Sequence, residues 1–356
     1  MTLEELGYNT GLAGFMAKNG LEAFAIGRVT AEHKERYIVK TEEKEYEAEI
    51  LGNLRFTAQS RSDFPAVGDW VTISEYDNDK AIIYAVLPRK SIIERQTVGK
   101  RGEKQIIATN IDVAFIVQAV DRDFNINRIE RYLTICNTSK VDPFIILNKI
   151  DLIDDSKLNE LTENIRKRIK DTPVFAISNT TNNGIEPLKA IIEKGKTYCL
   201  LGSSGVGKST LLNTLLGKEL MKTNEISEQT NRGKHVTTHR ELIVLENGGI
   251  LIDNPGMREV GITDSANGLE TTFENIVELA KKCRFKDCTH TSEKGCAVIA
   301  ALEKGEIESA SYDNYMKMVR EKEFFESTLV EKRKKDKDFG KMMKNYKKDN
   351  LGKYKA

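Results

Sequence analysis

Between residues 20 and 92, β-branched and aromatic residues come in short runs: FAIGRV, RYIVKT, EYEAEI, DWVTI and AIIYAVL. Polar, Gly or Pro positions divide them, which predicts five short strands. Five strands in so short a stretch fit a small antiparallel barrel. An OB-like barrel, a form that often binds RNA, is the leading case. Strand counting leaves an SH3-like barrel open, and also a barrel that merely docks on its neighbour.

From residue 93 the pattern changes. NIDVAFIVQAV reads as a buried strand, RIERYLTICNTS as a helix and PFIILNK as another strand. SKLNELTENIRKRIK puts Leu158, Leu161, Ile165 and Ile169 on one face at helical spacing. PVFAIS and KTYCLLG continue the strands; GIEPLKAIIEKG and KSTLLNTLLG continue the helices. ELIVLENGGILIDNPG reads as two strands around a turn at residues 247–249. Such alternation predicts a mainly parallel α/β sheet with helices on both faces. Beyond residue 266, TTFENIVELAKKC and a long pattern from Ala297 onward predict helices, and no solenoid repeat shows. The expected organisation is multidomain: an OB-like RNA-binding barrel over 1–92, an α/β domain over 93–265, and a mainly helical domain with a basic tail over 266–356.

Composition narrows the class. The chain has 356 residues, 39% hydrophobic and 31% charged, enough for more than one soluble core. No apolar run approaches the roughly 20 residues that span a bilayer. The start, MTLEELGYNTGLAGF, lacks the basic and apolar regions of a secretory signal. Five cysteines, two isolated and three clustered, suit a reducing compartment, so a cytoplasmic protein without membrane contact is expected. The net charge of +1 hides an asymmetry. Residues 331–356 hold eleven Lys/Arg against four Asp/Glu, a local +7 on a body of about −6. That tail suits a polyanion such as RNA, or is simply a solvated helix.

The chemistry centres on GSSGVGKS, Gly202 to Ser209, which fits G-x-x-x-x-G-K-[ST] between a strand and a helix. Gly202, Gly205 and Gly207 let the backbone of Ser203, Ser204 and Val206 curl around an anion. The following helix, with Thr210 in its first turn, points its positive end at phosphate. Lys208 suits the β- and γ-phosphates, and the Ser209 hydroxyl suits Mg²⁺. IDNPG has the DxxG form, with Asp253 as a Mg²⁺ carboxylate and the Gly256 N–H placed to sense γ-phosphate.

NKID, Asn148 to Asp151, ends a predicted strand. Asp151 can accept from the N1–H and N2 amino groups of guanine, a donor pair that adenine lacks. Lys149 can lie over the base beside Ile150, Asn148 can brace the phosphate loop, and Ser178 can complete the pocket. An ATP-using kinase is disfavoured on this ground. The motif order is NKxD, Ser element, phosphate loop, Thr switch, DxxG, a circular permutation of the Ras-like order. Permutation keeps such a site, because every contact comes from loops at one sheet edge. It also leaves the end of the switch-bearing segment in need of a new anchor.

The switch candidates are Thr237 and Thr238 in NRGKHVTTHREL. Met257 stands where Ras-like enzymes place a water-orienting Gln, so a low intrinsic rate is expected. His235 is the best local candidate to position water; an exposed loop histidine or an RNA contact is its alternative. Cys283, Cys288, His290 and Cys296 form C-x4-C-x-H-x5-C, a closed donor set for structural Zn²⁺, with reduced free cysteines as the alternative.

Taken together, FPAVGDWV, FNINRIERYL, NKID, GSSGVGKS, GKHVTTH, DNPG and the Cys/His spacing closely resemble the circularly permuted, ribosome small-subunit-dependent GTPases called the RsgA family. The resemblance covers nearly the whole chain. It implies an OB domain, a permuted GTPase domain and a zinc domain. It also implies late maturation of the small ribosomal subunit, contact with its rRNA, and GTP hydrolysis stimulated by that subunit. Val236 departs from the family, whose members often carry a third Thr there, and leaves the Mg²⁺-binding Thr open between Thr237 and Thr238. A monomer is expected. The competing reading is a nucleotide-gated RNA-binding chaperone in which hydrolysis is incidental.

Overall fold

Strands β1 (Ala25–His33), β2 (Arg36–Lys40), β3 (Glu45–Ile50), β4 (Trp70–Asp77) and β5 (Lys80–Val86) form the N-terminal barrel of the computed structural model. The structure describes residues 1–33, 36–58, 60–96, 104–121, 124–217, 240–253 and 266–326. The barrel order is β1-β2-β3-β5-β4, and β4 closes back on β1. β3 and β5 pair in parallel, whereas the other neighbours are antiparallel. A parallel pair needs a crossover, here α2 (Gly52–Thr57) and β4. This is OB-like topology, and it removes the SH3-like alternative. Alternate residues point inward, so Val29, Val39, Tyr46, Val71, Ile73 and Ile83 fill the interior.

The central sheet contains β8 (Val113–Ala119), β9 (Asp142–Asn148), β10 (Val174–Ala176), β11 (Thr197–Leu201), β12 (Glu241–Val244) and β13 (Ile250–Asp253). Its order is β10-β9-β8-β11-β13-β12, parallel except for β12. Helices α3 (Ile126–Ser139) and α4 (Asp155–Arg168) share one core with Ala114 and Ile116. Helices α5 (Ile185–Ala190) and α6 (Lys208–Leu216) share the other with Val113, Phe115 and Val117. Both faces are therefore covered, which is why β8 is apolar almost throughout.

Besides α2, two features of the N-terminal half lack a counterpart in the sequence reading. One is α1 (Thr10–Lys18), capped by Asn9, whose Leu12 and Met16 pack with Trp70 and Leu87. The other is a separate antiparallel pair, β6 (Ile92–Gln96) and β7 (Lys104–Thr109).

The barrel and central sheet are continuous. β12 pairs with β1 at Glu241 and Ala31, giving one eleven-stranded sheet. Arg28, 1% exposed, locks the seam. It donates to Leu6 O (2.5 Å), Gly68 O (3.2 Å), Asn110 O (3.3 Å) and Thr197 Oγ1 (2.9 Å). Burial lowers its pKa to about 10, against the opposing pull of Asp112 and Asp69, so it stays charged at neutral pH.

The C-terminal helices are α7 (Ala266–Thr272), α8 (Glu274–Ala280), α9 (Ala297–Glu303) and α10 (Ser309–Glu326). Leu269, Phe273, Ile276, Val298 and Met318 make their core. This unit docks on α3. A Cβ on Gly268 would stand 2.1 Å from Thr138 Oγ1 and 2.4 Å from Thr134 O, so only glycine permits the approach. Arg131 grips Glu321 with two hydrogen bonds of 2.8 and 2.6 Å. Buried Glu130 accepts from Arg168 and from Asn314, each at 2.6 Å. The basic tail lies outside the described residues.

Candidate nucleotide site and metal centre

Because β8, β9, β10, β11 and β13 are parallel, their C-terminal ends lie along one edge of the sheet. NKID starts at the last residue of β9, Ser178 follows β10, the Gly-rich loop follows β11 and Asp253 ends β13. The permuted order therefore leaves these elements side by side.

The loop is shaped by its glycines. Gly202, Gly205 and Gly207 have φ of +151°, +83° and +95°, conformations that other residues resist. A Cβ on Gly202 would stand 2.3 Å from Val117 O, and one on Gly207 would stand 2.2 Å from Asn148 Nδ2. That second approach has a purpose. Buried Asn148 donates to Val206 O (2.8 Å) and accepts from its neighbour Lys149 N–H (2.8 Å). The NKxD turn thus holds the phosphate loop directly. Lys208 begins α6, and its ammonium donates to Gly202 O (2.8 Å) and Ser203 O (2.6 Å) within the loop. Ser209 and Thr210 occupy the first turn of α6, and Ser204 lies in the loop between Ser203 and Gly205.

Asp151 is positioned by Ser178, which is fully buried and donates to Oδ1 at 2.5 Å. Ser178 Oγ in turn accepts from Thr181 N–H (3.1 Å). Ile150 N–H donates to Ile177 O (3.3 Å), tying the NKID turn to the end of β10. Lys149 adopts a left-handed φ of +66°, and its ammonium pairs with Asp121 (2.9 Å). Asp121 and Asn179 were not picked out from the sequence. Asn179 donates to Gly207 O (3.1 Å), giving the loop a second amide brace, and its buried Oδ1 has no partner among the described residues. Its place directly after Ser178 was the available signal. His235, Thr237, Thr238, Gly256 and Met257 lie outside the described residues.

Cys283, Cys288, His290 and Cys296 converge, their ligand atoms all within 4.8 Å of one another. The Sγ atoms of Cys283 and Cys296 are 3.8 Å apart. His290 Nδ1 lies 3.6 Å from Cys283 Sγ and 3.5 Å from Cys296 Sγ. A tetrahedron with zinc bonds of about 2.3 Å to sulfur and about 2.0–2.1 Å to nitrogen has edges of about 3.8 and 3.6 Å. The set is therefore compatible with zinc. Sulfur charge is met by N–H groups: Ala297 donates to Cys283 (3.3 Å) and Ile299 to Cys296 (3.4 Å), which caps α9. Burial lowers the His290 pKa, favouring the neutral ring that binds metal. Tyr312 of α10 donates to His290 O (2.6 Å), joining the cluster to the last described helix.

A Gly-rich loop between β11 and α6, braced by an NKxD turn that precedes it in the chain, defines a circularly permuted P-loop GTPase. The family described as RsgA GTPase matches residues 86–263. The chain is 46% identical over 323 residues to the Small ribosomal subunit biogenesis GTPase RsgA 1 of Listeria innocua, covering 90% of this chain and 89% of that one. It therefore belongs to the RsgA GTPase family and is a GTP-hydrolysing enzyme. The crystal structure of YjeQ from Thermotoga maritima is 28% identical, with a TM-score of 0.61 over 83% of this chain and 98% of that one. YloQ, described as a circularly permuted GTPase, shares the fold at 23% identity, with a TM-score of 0.60 over 86% of this chain and 98% of that one. The ABC transporter family also matches residues 185–355, a span that holds the P-loop but begins after NKID. Among the described residues no helix is long and apolar enough to cross a membrane.

Proposed function

We propose that this GTPase is an assembly factor for the small ribosomal subunit, acting late in its maturation, with hydrolysis stimulated by the subunit. Relatives named small ribosomal subunit biogenesis GTPases align over most of its length. The observation that carries the nucleotide reading is the Asn148–Val206 hydrogen bond, which fixes the base-reading turn against the phosphate loop.

Within that site, the backbone N–H groups from Ser203 to Gly207 face the phosphates, and Lys208 neutralises the β- and γ-groups. Thr210 supports the first turn of α6. Asp151, oriented by Ser178, accepts from the N1–H and N2 amino groups of guanine. Lys149, held by Asp121, lays its stem over the base, and Ile150 flanks it. Ser209, Asp253 and one of Thr237 and Thr238 supply the hard oxygen donors that suit Mg²⁺. When bound there, Mg²⁺ would supply positive charge against the phosphates. The Gly256 N–H senses the γ-phosphate. His235 positions the attacking water, a role that Met257 cannot fill. One structural Zn²⁺ on Cys283, Cys288, His290 and Cys296 secures the C-terminal helices. The barrel contacts rRNA, and the protein works as a cytoplasmic monomer.

The test is sedimentation with purified small subunits. The protein should travel with them when loaded with a non-hydrolysable GTP analogue and be released with GDP. No co-sedimentation in either state would refute the proposal.

A further inference from the structure

At the seam between barrel and central sheet lies a cavity of about 140 Å³. Its walls include Glu32 of β1, Tyr37 of β2, Arg61 and Phe64 from the segment before β4, Ile106 of β7, and Arg240 just before β12. An engineered cavity of roughly 150 Å³ in another protein admits one benzene ring, so this one, which opens to solvent, is on the scale of one planar base.

The lining is specific in kind. Arg240 donates to Ile106 O (3.1 Å), and its guanidinium stands 3.9 Å from the Glu32 carboxylate. A cation that donates and a carboxylate that accepts are therefore neighbours on one wall. Aromatic and guanidinium groups are the surfaces on which unstacked RNA bases lie. Arg240 and Glu32 already pair with each other, and each keeps capacity for a further polar partner. A nucleobase with an amino group next to a ring acceptor satisfies both. Adenine, cytosine and guanine carry such an amino group; uracil does not. Arg61, exposed at the rim, suits a flanking phosphate.

We propose that this cavity is a subsite for one unpaired RNA nucleobase bearing an exocyclic amino group. The proposal deepens the small-subunit reading, because a ribosomal partner would bring such a base. The position also carries a consequence. Arg240 follows Thr238 by two residues in the chain, and Glu241 pairs with Ala31 of the barrel. A base held by Arg240 thus bears on the strand that joins the switch to the barrel.

The test uses the full chain saturated with GDP and Mg²⁺, so that the GTPase site is filled. Fluorescence anisotropy would measure binding of labelled single-stranded RNA hexamers of A, C or U, with AMP as a mononucleotide control. The A and C hexamers should bind about fivefold tighter than U. Arg61→Glu should weaken all three about tenfold. Glu32→Gln, whose amide can accept from an amino group or donate to the uracil O4, should abolish the preference by raising U binding toward the A and C values. Thermal melts followed by circular dichroism establish that both variants fold. Equal binding of the three hexamers, or a preference that survives Glu32→Gln, would overturn the subsite. AMP binding as tightly as the A hexamer would assign the cavity to a free nucleotide and overturn the RNA assignment. The hexamer result stands apart from the ribosomal reading: the expected hexamer pattern without any small-subunit binding would sink that reading and keep the subsite.

Discussion

The Asp151 carboxylate, the proposed guanine acceptor, is held by the Ser178 hydroxyl. Ser178 is fully buried and anchored by Thr181, so the carboxylate is presented in one orientation. Asp151→Asn should weaken GTP binding roughly 100-fold, since an amide cannot accept from two guanine donors. The same variant should gain affinity for xanthosine triphosphate, whose C2 carbonyl accepts where guanine donates. Competition between the two nucleotides measures both changes; unchanged preference would remove Asp151 from the base pocket. Gly207 is equally exacting. Its φ of +95° and the 2.2 Å approach of Asn148 leave no room for a methyl group. Gly207→Ala should introduce about 1–3 kcal/mol of strain in the folded chain, read as a melting temperature lower by several degrees, and the loop shift that relieves it should weaken GTP binding roughly ten- to hundredfold. Isothermal titration and a thermal melt together check it. The Asn148, Asp151 and Lys208 positions were legible in the sequence because their motifs fix residue type and spacing. Asn179 and Asp121 were not, because each acts through a contact made only in three dimensions, one to Gly207 O and one to Lys149.

Among the elements, the strands were the most legible. The five barrel runs and the strands of the α/β domain recur in the fold because β-branched residues bounded by turns mark them well. Helix α1 escaped notice, since TGLAGFMAK carries two glycines at once. The β6–β7 pair escaped because IIERQ and KQIIAT are short. The docking of α7 on α3 was unreadable as well: it depends on Gly268, a residue with no local signature. That docking bears on the permutation. α7 is the first described helix after DNPG, and it binds α3 of the GTPase core through Thr272, which accepts from Thr134 (3.1 Å) and Asn137 (3.0 Å). The Cys/His cluster packs in the core of the same helical unit. Cys296→Ala should abolish stoichiometric zinc and lower the melting temperature by several degrees, because a structural site contributes folding energy directly. Elemental analysis beside calorimetry measures both; a variant equally stable without zinc would deny the cluster a structural role.

At the scale of the whole molecule, permutation changes the order of the chain and leaves the site's geometry intact. The C-terminal ends of β9, β11 and β13 meet at one sheet edge, whichever strand comes first. What the chain gains is continuity at the other edge. β12 follows the switch segment and pairs with β1, so barrel and GTPase share one eleven-stranded sheet pinned by Arg28. A partner held by the barrel is therefore one strand away from the segment that carries His235, Thr237 and Thr238. On the proposed function, this strand is the route by which an RNA-bearing partner would act on the switch. The most direct measurement is steady-state GTP turnover by the full chain alone, with purified small subunits, and with purified large subunits. Slow turnover alone and with large subunits, and a large increase with small subunits, is the predicted result. Equal rates in all three would contradict it.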